Sequence, residues 1–294
     1  MNDLQRIGFI GLGVMGEPMC NNLLAKSGHE VIAYDITPAP MERLRAAGSA
    51  VASSVADVAQ RSEVVFLSLP SGEQVSSVCR GDEGLLAAAR PGQTVVDLST
   101  SPVALARELA REFGEKGVSF ADAPVARTRE AAQKGTLSVM VGATPEVFAH
   151  IEPLLRCVAS DVTHCGDAGA GQFVKIANNM VLFQNVNAIA EALALARRTG
   201  VDPAIVLGTL AKGSADSFAL RNHGMKAMLP GIFPERAFST EYALKDVGYA
   251  LDLARTVKVA LPGAQLTAEI LRKTIASGHG REYFPVLAKV VDAE

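Results

Sequence analysis

The chain reads as an α/β protein: a parallel, doubly wound sheet followed by an all-helical C-terminal domain. Two patterns carry this reading. Short apolar runs alternate with amphipathic stretches through the first half, and from Gly169 onward every periodic segment is helical. The runs at residues 6–10, 31–34, 64–67, 94–97, 119–122 and 137–141 have the length and β-branched content of buried strands. Between them, residues 17–26, 54–61, 84–89, 102–116 and 145–155 show helical periodicity. Residues 172–198 then stay helical throughout, with apolar side chains at Phe173, Ile176, Met180, Phe183 and Val186, which is long for a globular helix. Further helices are predicted at 203–211, 241–256, 262–277 and 283–293. The boundary therefore falls in the turn 165–171, giving domains 1–165 and 166–294.

The first strand runs into Gly11-Leu12-Gly13-Val14-Met15-Gly16, a G-x-G-x-x-G loop that opens a helix. In a Rossmann-type fold this loop receives a dinucleotide pyrophosphate. Its first glycine makes the tight turn, its second lets the backbone approach the phosphates, and its third lets helix and strand pack closely, while the helix N-terminus offers N–H groups to the anion. The second strand ends in Asp35, 19 residues after Gly16, where a carboxylate accepts from the adenosine ribose hydroxyls. Asp35 repels a 2′-phosphate and no arginine follows at Ile36 or Thr37. NAD is therefore expected in preference to NADP.

Composition excludes several classes. A net charge of −3 with no basic tract gives no footprint for nucleic acid or an anionic membrane. No apolar run reaches the length of a membrane span, and the chain enters a strand at once, so a cytoplasmic location is expected. The four cysteines lack paired or metal-ligand spacing; no metal site is expected.

Three segments offer chemistry. Residues 97–102, Asp97-Leu98-Ser99-Thr100-Ser101-Pro102, end a strand in hydroxyl groups, and strand C-termini form the ligand crevice of such a sheet; Ser99 or Thr100 capping the next helix is the alternative. Ala126-Arg127-Thr128 follows another strand end. There Arg127 either grips an anionic head group through its planar fork or lies in solvent. On the long helix, Lys175, Asn178 and Asn179 share nearly one face, turned either to a cleft or to water. None of the five histidines has an acidic partner at convincing spacing, so surface or loop positions are expected for them.

Several ordered motifs together resemble the β-hydroxyacid dehydrogenase family, whose members include 3-hydroxyisobutyrate dehydrogenase and the cofactor domain of 6-phosphogluconate dehydrogenase. They are FIGLGVMGEPMCNNL, LPSGEQV, DLSTSP, DAPV with GTLSVMVG, GAGQFVKIANN and ALKDVGYAL, spread over nearly the whole chain. The resemblance implies Lys175 as the catalytic lysine. It implies Ser99, Asn178, Asn179 and the segment Ala126, Arg127, Thr128 at the substrate, and Leu69, Pro70, Thr100 and Lys245 beside the cofactor. It also implies a homodimer or homotetramer. Two positions depart from the pattern: Cys20 stands where the signature has serine or alanine, and Ala126-Arg127-Thr128 replaces Ser-Gly-Gly. The second is similar to the Gly-Arg-Thr of sulfolactaldehyde reductase, so a sulfonate is a candidate substrate beside a small 3-hydroxy carboxylate.

The implied reaction is hydride transfer between nicotinamide and the carbinol carbon, with Lys175 exchanging the hydroxyl proton. A free lysine holds its proton to a pKa of about 10.4, so it serves as an acid at neutrality without adjustment, whereas service as a base requires roughly 4 kcal/mol of destabilisation. Semialdehyde reduction near neutrality is therefore expected, with oxidation gaining as pH rises. A nucleotide-binding homologue without catalysis and an imine reductase are the alternatives; Lys175 and Asn179 speak against the first, Lys175 against the second.

Overall fold

A computed structural model describes residues 5–235 and 237–293, which divide into two compact units, one up to Lys175 and one from Ile176. In the first, strands and helices follow in the order β1 (Arg6–Ile10), α1 (Gly16–Lys26), β2 (Glu30–Tyr34), α2 (Pro38–Ala46), β3 (Ala50–Val51), α3 (Val55–Arg61), β4 (Val64–Leu67) and α4 (Gly72–Arg80). There follow α5 (Leu85–Ala88), β5 (Thr94–Asp97), α6 (Val103–Gly114), β6 (Ser119–Asp122), β7 (Val125–Ala126), α7 (Arg129–Lys134), β8 (Leu137–Gly142), α8 (Pro145–Leu155), β9 (Ala159–Gly166) and the start of α9 (Ala170–Thr199).

Six strands lie parallel in the order β3-β2-β1-β4-β5-β6, the doubly wound arrangement, in which the order reverses between β1 and β4. Alternate side chains face opposite helical layers. Ile7, Phe9, Val31, Phe66 and Val96 pack on one side with Met19 and Leu23 of α1, while Ile10, Ile32, Val65, Leu67 and Val95 pack on the other with Leu109 and Phe113 of α6.

The expected strand at 137–141 is present but not parallel: β8 runs antiparallel to β6 and β7, and only β9 pairs with it in parallel. Between β6 and β8 the chain holds β7 and the six-residue α7, not a full crossover helix, so it returns beside β6 in the opposite sense. The sequence reading omits β9 altogether. Its residues alternate irregularly and stay mostly outside the core, as an edge strand's do, so no apolar period marks it. Helices α2, α4 and α7 are likewise additions.

In the second unit, the remainder of α9 is joined by α10 (Pro203–Leu210), a π-helical segment Leu220–Met228, α11 (Thr240–Val257), α12 (Pro262–Thr274) and α13 (Leu287–Ala293). Phe183, Val186 and Leu193 of α9 share one core with Leu207, Leu220, Val247, Leu271, Phe284 and Leu287. Among the described residues no helix is long and apolar enough to cross a membrane.

Candidate active site

At the nucleotide loop, Gly11 holds φ +95°, and a Cβ there would meet the Ser68 carbonyl at 2.3 Å; at Gly16 a Cβ would come within 1.9 Å of the Gly11 carbonyl. Strand and helix thus touch through both glycines. A Cβ at Gly13 would meet nothing in the protein, so packing does not require that glycine, whereas a phosphate lying on the loop does. Leu12 N–H donates to Asp35 Oδ2 at 2.6 Å and Thr37 N–H to Oδ1 at 2.7 Å, which orients the carboxylate with lone pairs left for ribose hydroxyls. Val14 is exposed on the loop and Met15 packs inward. Beside the end of β2, Tyr34, Ser54, Val55 and Val78 line an open pocket.

At the other strand ends stands a polar junction. Asp97 and Asp122 are register partners at the C-termini of β5 and β6, both buried. Burial pushes each carboxyl up to about 6 against the hydrogen bonds it accepts, and the Asp122 charge raises Asp97 further. Asp97 Oδ1 accepts from Ser99 N–H at 2.9 Å and its Oδ2 from Ser101 Oγ at 3.1 Å. Asp122 Oδ1 accepts from Gly169 N–H at 2.6 Å and its Oδ2 from Gln172 N–H at 2.7 Å, capping the first turn of α9. Lys175 follows one turn later and is 9% exposed.

Ser99 caps no helix. α6 begins after Pro102 with no side-chain cap, and Ser99 Oγ instead accepts from Leu69 N–H at 2.9 Å while its O–H is directed to the Asp97 carboxylate. The segment holding Leu69 and Pro70 is thereby tied to the Ser99 loop, with half-buried Thr100 between Ser99 and Ser101.

Arg127 has partners within the protein: Nη1 donates to the Thr136 carbonyl and to Ser160 Oγ, both at 2.7 Å, and Nη2 pairs with Asp161 Oδ2 at 2.7 Å. Its backbone holds φ +86°, a region that favours glycine. β9, invisible to sequence periodicity, supplies two of these partners, Ser160 and Asp161. Thr128 likewise turns out to cap α7, its Oγ accepting from Ala131 N–H at 3.4 Å, and half-buried Ala126 pairs with Ser138 in the sheet.

In the second unit, Asn179 is buried and donates through Nδ2 to Asp246 Oδ2 at 2.6 Å, while exposed Asn178 donates to Asn179 Oδ1 at 3.1 Å. Asp246 Oδ1 lies 3.2 Å from Lys245 Nζ, which also sits over the rings of Tyr242 and Tyr249. The histidines depart from expectation twice. His279 meets Glu282 at 2.6 Å, and His223 is buried in the π-helical segment, its Nδ1 bonded to Tyr283 Oη at 2.5 Å. Burial lowers His223 to about 4. Sequence reasoning gave no role to Gln172, Asp122, Asp97 or Asp246; carboxylates closing two adjacent strands are the signal by which Asp97 and Asp122 could have been found.

The loop, Asp35 and the strand order define an α/β domain built for a nicotinamide dinucleotide. Residues 6–166 match the NAD binding domain of 6-phosphogluconate dehydrogenase, and residues 169–291 match the NAD-binding of NADP-dependent 3-hydroxyisobutyrate dehydrogenase. The chain is 37% identical over 285 residues to 2-(hydroxymethyl)glutarate dehydrogenase of Eubacterium barkeri, covering 97% of this chain and 94% of that one. To 3-hydroxyisobutyrate dehydrogenase of Pseudomonas aeruginosa it is 38% identical over 264 residues, 87% of each chain. Among solved structures, Mycobacterium tuberculosis 3-hydroxyisobutyrate dehydrogenase with L-serine superposes at a TM-score of 0.86 with 32% identity, covering 98% of this chain and 99% of that one. The chain belongs to the β-hydroxyacid dehydrogenase family, the NAD(P)-dependent oxidoreductases acting on CH–OH donors that include the 3-hydroxyisobutyrate dehydrogenases.

Proposed function

We propose that this protein interconverts a small 3-hydroxy carboxylate, of the 3-hydroxyisobutyrate type, and its semialdehyde, with NAD(H) as the preferred cofactor. The observation that carries the reading is the junction at the ends of β5 and β6, which fixes Ser99 and the turn bearing Lys175 in the same unit as the nucleotide loop. When bound, nicotinamide supplies or removes the hydride. Lys175 gives a proton to the substrate oxygen in reduction and takes it back in oxidation. The buried Ser99 hydroxyl binds a substrate oxygen. Asp35 supports NAD over NADP because its carboxylate faces the loop amide of Leu12, where a 2′-phosphate would meet like charge.

Arg127 is the expected grip on the anionic head group in both the carboxylate and the sulfonate readings, and its guanidinium is bonded to Asp161, Ser160 and Thr136, so the carboxylate is preferred here on the likeness to the 3-hydroxyisobutyrate dehydrogenases. A second copy of this chain is the proposed partner, since Leu195, Ile205, Phe218 and Ile232 of the helical unit are large apolar side chains left exposed. The test is NADH consumption with carboxylate, sulfonate and phosphate semialdehydes of equal carbon number. Fastest turnover of the carboxylate supports the proposal. Preference for the sulfonate overturns the substrate assignment, and binding of NADH without consumption of any aldehyde overturns the enzymatic reading of this chain.

A further inference from the structure

Gln172 is fully buried, and every polar atom of its side chain is used. Nε2 donates to the Ser99 carbonyl at 2.7 Å, and Oε1 accepts from Ser101 N–H at 2.9 Å. The amide therefore grips the loop on both sides of Thr100. Only a group that donates at one atom and accepts at the other satisfies both bonds.

We propose that Gln172 is a positioning residue that sets Ser99 at a fixed offset from Lys175. Lys175 leaves α9 three residues later, on nearly the same face, so a loop tied to Gln172 is tied to the lysine through one rigid turn. That turn is itself held. Asp122 takes the N–H groups of Gly169 and Gln172, and a Cβ at Gly171 would meet the Met140 carbonyl at 2.3 Å, so the helix start lies hard against the strand ends. On the loop side Asp97 takes Ser99 N–H and the Ser101 hydroxyl. The hydrogen bonds of the Gln172 side chain bridge these two anchored pieces, and the whole arrangement lies within the first unit. A displacement of about 1 Å between reacting groups costs on the order of a hundredfold in rate.

This inference rests on Lys175 and Ser99 acting in the proposed reaction, and the experiment keeps the two apart. Q172E is nearly isosteric. Its carboxylate can accept from Ser101 N–H but has no proton for the Ser99 carbonyl, whereas the protonated carboxyl makes both bonds. The titratable and charged groups on the elements packed there are Asp97, Asp122, Arg107 of α6 and Lys175; the two buried carboxylates favour protonation of the introduced group, and Arg107 and Lys175 oppose it. On the full chain, kcat for semialdehyde reduction by Q172E should fall about 10- to 100-fold near pH 8, with the NADH Kd within about twofold. The ratio of its kcat to the parent's should climb at least about fivefold as pH is lowered toward about 6. Q172L, which can neither donate nor accept, should stay low throughout, and K175A serves as the control. If K175A is inactive but Q172E and Q172L keep the parent kcat within about twofold, the positioning role is wrong and the function stands. A Q172E deficit that does not change with pH also overturns it. If K175A keeps parent activity, the reaction assignment fails, and this inference with it. Should Q172L not fold, the pH dependence of the Q172E ratio decides alone.

Discussion

Arg127 holds a backbone conformation that L residues avoid, and its side chain is what keeps it there. The bonds to the Thr136 carbonyl and Ser160 Oγ contribute about 1 kcal/mol net. The Asp161 pair adds no more than about 0.5 kcal/mol, because the two side chains are 40% and 56% exposed. Against this, a positive φ costs a non-glycine residue about 1–2 kcal/mol. R127A removes the bonds and keeps the strain, so it should destabilise the protein by about 1–2 kcal/mol. R127G removes both and should be more stable than R127A by about 1 kcal/mol, even though glycine gives back some backbone entropy on folding. Urea unfolding of the full chain measures the stabilities, and steady-state kinetics measure the loop. kcat/KM should fall more in R127A than in R127G, and D161N should move in the direction of R127A. Were R127A and R127G equally impaired in kcat/KM at parent stability, with D161N at parent level, the guanidinium would be acting on the substrate and the bracing argument would be refuted.

The parent should prefer NAD over NADP by at least about tenfold in kcat/KM, and D35A should narrow that gap; a tenfold preference for NADP in the parent would overturn the role given to Asp35. K175A should lower kcat by about 10² to 10⁴ with NADH affinity little changed, the usual worth of a positioned proton donor, and retention of more than about half the activity would remove Lys175 from the mechanism. His223 has a folded pKa below its ordinary value of 6.5, at about 4, so the unfolded chain binds its proton more readily; the stability it lends is complete above about 6.5 and is lost as pH falls toward 4, to a total of about 3 kcal/mol. Tyrosine fluorescence unfolding curves between pH 7 and 4 should show a smaller acid loss in H223Q than in the parent, and equal slopes would show that His223 is not the group responsible. Asp97 and Asp122 carry the opposite sign. Their folded pKa values stand above the ordinary carboxylate range, so their contribution improves as pH falls from about 6 toward 4, and D97N should flatten that part of the profile.

The local pattern of this chain was enough to place the nucleotide loop, Asp35, the strands β1, β2, β4, β5, β6 and β8, and the long helix bearing Lys175. In each case the signal is periodic or lies within one turn: alternating apolar residues bury a strand, and glycines at a fixed spacing let strand, loop and helix touch. The polar partnerships were decided by the tertiary structure. Gln172 reaches Ser99 across 73 residues, Asp122 reaches Gln172 across 50, Asn179 meets Asp246 across 67, and Arg127 finds Asp161 on an edge strand that no apolar period announces. Burial can be read from the sequence because water sorts side chains one residue at a time. A hydrogen-bond partner cannot, because a buried donor must be satisfied by whichever acceptor the packed core brings to it.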